Sequence, residues 1–203
     1  MPTGVAIRDV REQLFAAAER VLLRDGPSAL TSRAVTTEAG CAKGVLHRHF
    51  ADFDGFLTEL VVARAEQIGR RAVELRDSAG TGTVAGNVTA ALTELFGSVA
   101  LAVLSLLTSR NELRARLREA GAGRLPVLGE GTVMIRSYLE AERDLGRLAA
   151  DAEINAIALM LIGTAHLMFA GRDGARLEKS TVHTIVTTAL APVLPGEEPG
   201  SRL

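Results

Sequence analysis

The chain contains no tryptophan, one tyrosine and one cysteine, and aromatic residues make up only 3% of it. So few rings leave little material for an aromatic cage around a cationic ligand. The lone Cys41 cannot form an internal disulfide. No charged, apolar and small-residue leader opens the sequence, so a cytoplasmic location is expected. Long apolar runs are missing too. The two longest nearly uncharged stretches, 97–109 and 154–170, fall short of the roughly 20 residues that span a bilayer, and no membrane role is expected. Alternating runs of β-branched and aromatic residues, the mark of strands, are almost absent. There is no internal repeat and no low-complexity segment.

What the 203 residues do hold is a 47% hydrophobic share, enough for a real core with some apolar surface left for a second subunit. The formal net charge of −1 hides an asymmetry. Residues 1–50 carry seven Arg and Lys against five Asp and Glu, a net of +2, and the remainder is at −3. Any polyanion should meet the N-terminal segment, where His47 and His49 add charge as the pH falls.

Ala, Leu, Arg and Glu at helical spacing predict an all-α protein of about nine helices. A first helix is expected over about 9–25, closed by Gly26-Pro27. A second runs through Ala39 with Thr31 or Ser32 as its cap, and a third covers about 42–49. Asp52 can cap a fourth over 53–77. Helices are then expected over 87–109, 111–120, 132–142, 151–170 and 177–193. Glycine-rich breaks at 78–86, 121–131 and 171–174 separate them, and the tail from Pro195 is polar.

The informative segment is Leu30 to Phe50, whose spacing reads as helix-turn-helix. Val35, Ala39, Cys41, Leu46 and Phe50 form the apolar set that packs the two short helices, and Gly40 sits at the sharp turn. Left facing outward are Lys43, Gly44, Val45, His47 and Arg48, a short basic and hydrogen-bonding surface suited to a major groove. Thr31, Ser32 and Arg33 lie at the start of the second helix, where backbone N–H groups favour a phosphate. His47 and His49 add phosphate contacts, Lys43 can reach a guanine edge, Val45 a thymine methyl, and Arg48 either.

On these residues the stretch from Arg11 to about Leu57 resembles the DNA-binding domain of TetR-family transcriptional regulators. The resemblance rests on Leu14, Ala17, Ala18, Val21 and Leu22 in the first helix, Gly26 after it, and Leu30-Thr31 before the second. Ala39-Gly40, Lys43-Gly44-Val45-Leu46 and His49-Phe50 complete it. It implies a DNA-binding domain over 1–52 and a helical ligand-binding and dimerisation domain over 53–203. It further implies a homodimeric repressor of a double-stranded DNA operator, released by a small-molecule effector. Four positions depart from the family: Ala42 replaces a capping Ser or Thr, His47 a Tyr, Phe53 a Lys and Thr36 an Ala.

In the later helices, Asn155, Leu159, Ile162, His166 and Phe169 share one face at 3/4 spacing. Phe96, Leu104, Met134 and Tyr138 are their expected partners around a mostly apolar cavity for an apolar or amphipathic ligand. Ile157, Leu161, Ala165 and Met168, with Val182, Ile185, Val186, Ala189 and Leu190, supply the expected two-fold interface. An enzyme finds no support. His47 and His49 diverge on their helix, no His-Glu-x-x-His occurs, and Gly80 to Gly86 departs from a dinucleotide loop, so neither metal nor cofactor is expected. The alternative reading is a ligand-binding or protein-interaction protein of the same fold that has lost operator binding, and it rests on Ala42, His47 and Phe53.

Overall fold

The structure, a computed structural model, describes residues 4–123, 125–170 and 178–195; the expected 171–174 break and the tail beyond 195 lie outside them. All regular structure among the described residues is helical. In chain order the helices are α1 (Gly4–Asp25), α2 (Ser32–Glu38), α3 (Gly44–His49), α4 (Phe53–Asp77) and α5 (Val84–Leu95). There follow α6 (Ser98–Ser109), α7 (Asn111–Glu119), α8 (Pro126–Asp144), α9 (Ile154–Ala170) and α10 (Lys179–Leu190).

Among the described residues ten α-helices stand where about nine were expected, because the stretch 87–109 is two helices. α5 ends at Leu95 with Phe96 as its cap, whose N–H still reaches the Leu92 carbonyl, and Gly97 then turns to ψ 162°, outside the helical range. The glycine-rich stretch 121–131 is corrected in the opposite sense. α8 already begins at Pro126, where the missing N–H costs nothing and the fixed φ suits a first helical residue. Gly129 and Gly131 therefore lie inside a helix. Gly131 is buried, and a Cβ there would come within 2.6 Å of a Leu95 methyl and 3.3 Å of an Ile162 methyl, so α5 and α9 approach α8 closely at this point.

The chain forms two compact units. The first gathers α1 to α3, the opening of α4, α6, α7 and the first turn of α8. The boundary expected after residue 52 thus falls within a unit that runs on to 67 and takes in 97–129. Its core is Leu14, Val21, Leu30, Val35, Leu46, Leu57 and Leu60, closed by rings. Phe15, Phe50 and Phe56 meet with centroids 4.9 to 5.7 Å apart, and Phe53 stacks on Phe56 at 5.7 Å. The second unit holds the rest of α4 and α8 with α5, α9 and α10, and α10 packs on both α5 and α9.

Candidate nucleic-acid interface

Local chemistry builds the helix-turn-helix. Thr31 is extended and its Oγ1 accepts from the Ala34 N–H at 3.1 Å, so Thr31 is the cap of α2. At the other end the Gly40 N–H donates to the Thr37 carbonyl and the Cys41 N–H to that of Thr36, the double bond pattern that closes a helix through a left-handed residue. Gly40 supplies that residue with φ 65°. Cys41 is half-buried rather than sealed in the turn. α3 starts two residues later than expected, at Gly44, and its cap position, Lys43, has no acceptor to offer the first turn, so no side chain caps the helix.

The expected contact residues are placed as follows. Thr31, Arg33, Lys43, Gly44, His47 and Arg48 are exposed, Val45 and His49 are half-buried, and Ser32 is half-buried with its hydroxyl covered and unpaired. The His49 carbonyl, at the end of α3, accepts from Arg11 Nη1 at 3.1 Å, while the Arg11 guanidinium lies 4.5 Å from the Phe50 ring centroid and pairs with Glu59 of α4. Arg11 therefore ties the end of α3 to α1 and α4, a role no sequence spacing signals.

Charge divides sharply across this unit. On α1, Arg20 binds Glu38 at 2.7 Å, and Arg24 binds Glu38 at 2.8 Å and Asp25 at 2.9 Å. Arg20 first, then Arg24, holds the Glu38 carboxyl below its ordinary range. Arg33, Lys43 and Arg48 have no ion pair among the described residues. The acid of α2 is thus spent on α1, and the exposed cations of α2 and α3 stand uncompensated.

Two arginines from α6–α7 brace the same unit. Arg110 Nη2 donates to the Leu30 carbonyl at 3.0 Å, and its guanidinium sits 5.7 Å from the Phe53 ring centroid. Phe53, which departs from the family's Lys, is accordingly part of a ring and cation stack. Asp52 caps α4 by accepting the Gly55 N–H at 2.6 Å and also binds Arg116 Nη1 at 3.0 Å. The Gly55 N–H first, then Arg116, lowers its pKa. Glu19 goes the other way: burial raises it more than its pair with Arg64 lowers it.

In the second unit, Phe96 stacks on Phe169 at 5.4 Å and lies 6.3 Å from the His166 ring, whose Nδ1 is covered and unpaired. Met134, Tyr138 and Ile162 are buried in the same unit, whereas Leu104 is buried in the first. Asn155 and Leu159 are exposed and do not join this cluster, while Ile157, Leu161 and Ala165 face inward. The expected division of α9 is reversed at these five positions, because the helix is apolar nearly all round and 3/4 spacing cannot single out one face. On α10, Val182, Val186 and Leu190 are buried in the chain's own packing, while Ile185 and Ala189, like Met168 of α9, are half-buried.

Sequence reasoning missed a buried polar network. Glu142 is fully buried, accepts from the Tyr138 hydroxyl and the Gly80 N–H, and pairs with Arg147 at 3.1 Å. Arg147 also donates to the Gly82 carbonyl, and Asn87 donates to the Tyr138 oxygen and the Thr81 carbonyl. Burial, then the bond to Glu142, drives the Tyr138 pKa well up. Beside Asn87 lies a half-open cavity of about 250 Å³ between α4, α5 and α8; of the residues expected around a ligand, it is lined by Met134.

A capped helix, a left-handed glycine turn and a short following helix form a helix-turn-helix, an arrangement that DNA-binding proteins use. Residues 14–60 match the bacterial regulatory proteins of the tetR family. That segment therefore carries the N-terminal domain of the tetR-family regulators. Solved structures share the fold over nearly their whole length. Reduced NemR of E. coli is 16% identical, with 92% of this chain and 98% of that one covered and a TM-score of 0.71. FadR of Bacillus subtilis, in complex with stearoyl-CoA, is 16% identical over 89% and 97%, with a TM-score of 0.66. A γ-butyrolactone receptor described as ArpA-like is 18% identical over 94% and 91%, also with a TM-score of 0.66. No curated protein matches the chain in sequence.

Proposed function

We propose that the protein is a ligand-responsive repressor that binds a near-palindromic operator as a homodimer and is released by a small apolar or amphipathic effector. The observation that carries the reading is the charge division of the first unit: Arg33, Lys43 and Arg48 are exposed with no ion pair among the described residues, while Arg11, Arg20 and Arg24 of α1 are paired with carboxylates. Such a surface gains by releasing counterions from phosphates. Lys43 and Val45 read base edges, Gly44 lets the backbone approach closely, Arg48 serves either a base or a phosphate, and Thr31, Ser32, Arg33, His47 and His49 lie on the phosphates.

Dimerisation is supported by apolar surface on α9, where Leu159, Met160 and Leu167 are 54%, 55% and 74% exposed. Met160 and Leu161 also border a groove of about 320 Å³ shared with Ile185 and Ala189 of α10. A second copy covering it sets two recognition helices about one DNA turn apart, and the operator is then palindromic. Effector binding in the second unit is supported by its cavity and by the ligands named for two of the solved neighbours, stearoyl-CoA and γ-butyrolactone. Release requires an effector that prefers the state with the wrong helix separation, since equal affinity for both states shifts nothing. No helix among the described residues is long and apolar enough to cross a membrane.

Fluorescence anisotropy with duplexes tiled from the DNA flanking the gene tests this reading. Tight binding to one near-palindromic duplex is expected, weakening steeply with salt and lost in the Lys43→Ala, Arg48→Ala double variant. Equal, weak binding to every duplex, or binding indifferent to salt, overturns it in favour of a protein of the same fold that binds ligands or proteins alone.

A further inference from the structure

We propose that the cavity between α4, α5 and α8 binds a small amphipathic cation, a primary ammonium on a short apolar body. The proposal rests on the effector-binding reading of the second unit and names the chemistry of that effector.

The floor is apolar: Ile68, Leu95 and Met134 are buried, and Leu75 and Ala91 are half-buried beside them. Its polar complement is unbalanced. Arg71 of α4, the one cation lining the cavity among the described residues, is already paired with Glu94 of α5, Nη2 to Oε1 at 2.9 Å. Glu74, one turn further along α4, is exposed, and its carboxylate has no hydrogen bond or ion pair among the described residues. The Asn87 amide nitrogen spends its protons on the Thr81 carbonyl and the Tyr138 oxygen. Only its carbonyl oxygen, an acceptor, is left for an occupant.

The polar groups thus offer two carboxylates and a carbonyl acceptor against one engaged guanidinium. An anionic head meets an uncompensated carboxylate and shares Arg71 with Glu94. A neutral head leaves Glu74 unpaired. An ammonium satisfies Glu74 directly, shares Glu94, and supplies the N–H donors that the carbonyl lacks. Charge complementarity and not ring stacking selects the cation, in keeping with the scarcity of aromatic residues. The volume of about 250 Å³ lies just under the usual range for drug-sized ligands, which keeps the apolar body short.

The test titrates the full chain with 4-phenylbutylamine, 4-phenylbutanol and 4-phenylbutyrate at neutral pH, following the Met134 methyl resonance, which a Met134→Leu variant assigns. A saturable shift is expected with the amine, weaker binding with the alcohol and the weakest with the carboxylate. Glu74→Gln and Glu94→Gln each weaken the amine about two- to fivefold, the effect of one exposed ion pair, and together they erase its preference over the alcohol. Arg71→Gln frees Glu94 and tightens the amine. Both glutamates are exposed, so an unchanged thermal midpoint confirms that these variants fold.

The proposal falls if the amine gives no saturable shift, or if the carboxylate binds as well as the amine or better. It also falls if the Glu→Gln changes leave the preference intact. If the amine binds here and leaves operator binding untouched, the cation site stands and the effector reading fails.

Discussion

Glu38 sets how much positive charge the α2–α3 surface presents, and its chemistry is readable in acid. Arg20 and Arg24 hold its pKa below the ordinary 4.5, so the pairing stabilises the fold above that value. The contribution is lost as the pH falls through the depressed folded value. Glu19 works in reverse: its pKa is raised by burial, so ionising it costs stability as the pH climbs from 4.5 to its folded value. In urea titrations across pH 3–6, Glu38→Gln is expected to lower the midpoint at pH 6 and to flatten the loss on acidification below 4.5. An unchanged pH profile contradicts the pairing. Thr31 and Gly40 were legible in the sequence because a cap and a left-handed turn are local demands. The Arg20–Glu38 and Arg11–His49 contacts were not, since their partners lie 18 and 38 residues apart and only the fold brings them together.

Among elements, α8 separates two glycines of opposite meaning. Gly129 is exposed with open space where a Cβ would go, and Gly131 has Leu95 and Ile162 against it. Gly129→Ala is expected to stabilise by about 0.5–1 kcal/mol through helix propensity. Gly131→Ala offsets that gain with an overpacking cost of about 1–3 kcal/mol, so its thermal midpoint stays level or falls. A rise at both positions contradicts the close approach of α5 and α9 to α8. Composition marked this stretch as a loop because it weighs each glycine alike, whereas Pro126 at a first helical position carried the opposite message. α4 was legible to the residue, since Asp52 caps it and its apolar spacing is clear. The faces of α9 were not, because burial on a helix apolar all round is decided by its neighbours.

For the whole molecule, the uncovered apolar side chains of α9 predict self-association. Met160→Glu with Leu167→Glu should give a monomer in sedimentation equilibrium and abolish cooperative binding to a palindrome, leaving the isolated chain folded. A dimer that survives both changes places the interface elsewhere. The all-helical class and the helix-turn-helix followed from periodicity and one well-spaced segment. The enlargement of the first unit by α6 and α7 did not, because the arginines that tie them, Arg110 and Arg116, look like ordinary surface charges in the sequence.

The lone tyrosine, in a chain without tryptophan, makes the second unit its own optical probe. Tyr138 is fully buried, and its hydroxyl is bonded to a carboxylate, a contact that quenches phenol emission. With its ionisation pushed up by burial, tyrosinate absorbance is silent until the unit opens. Intrinsic emission therefore brightens when the second unit melts and is blind to the first, so a comparison with circular dichroism tells whether the two units unfold together or in turn.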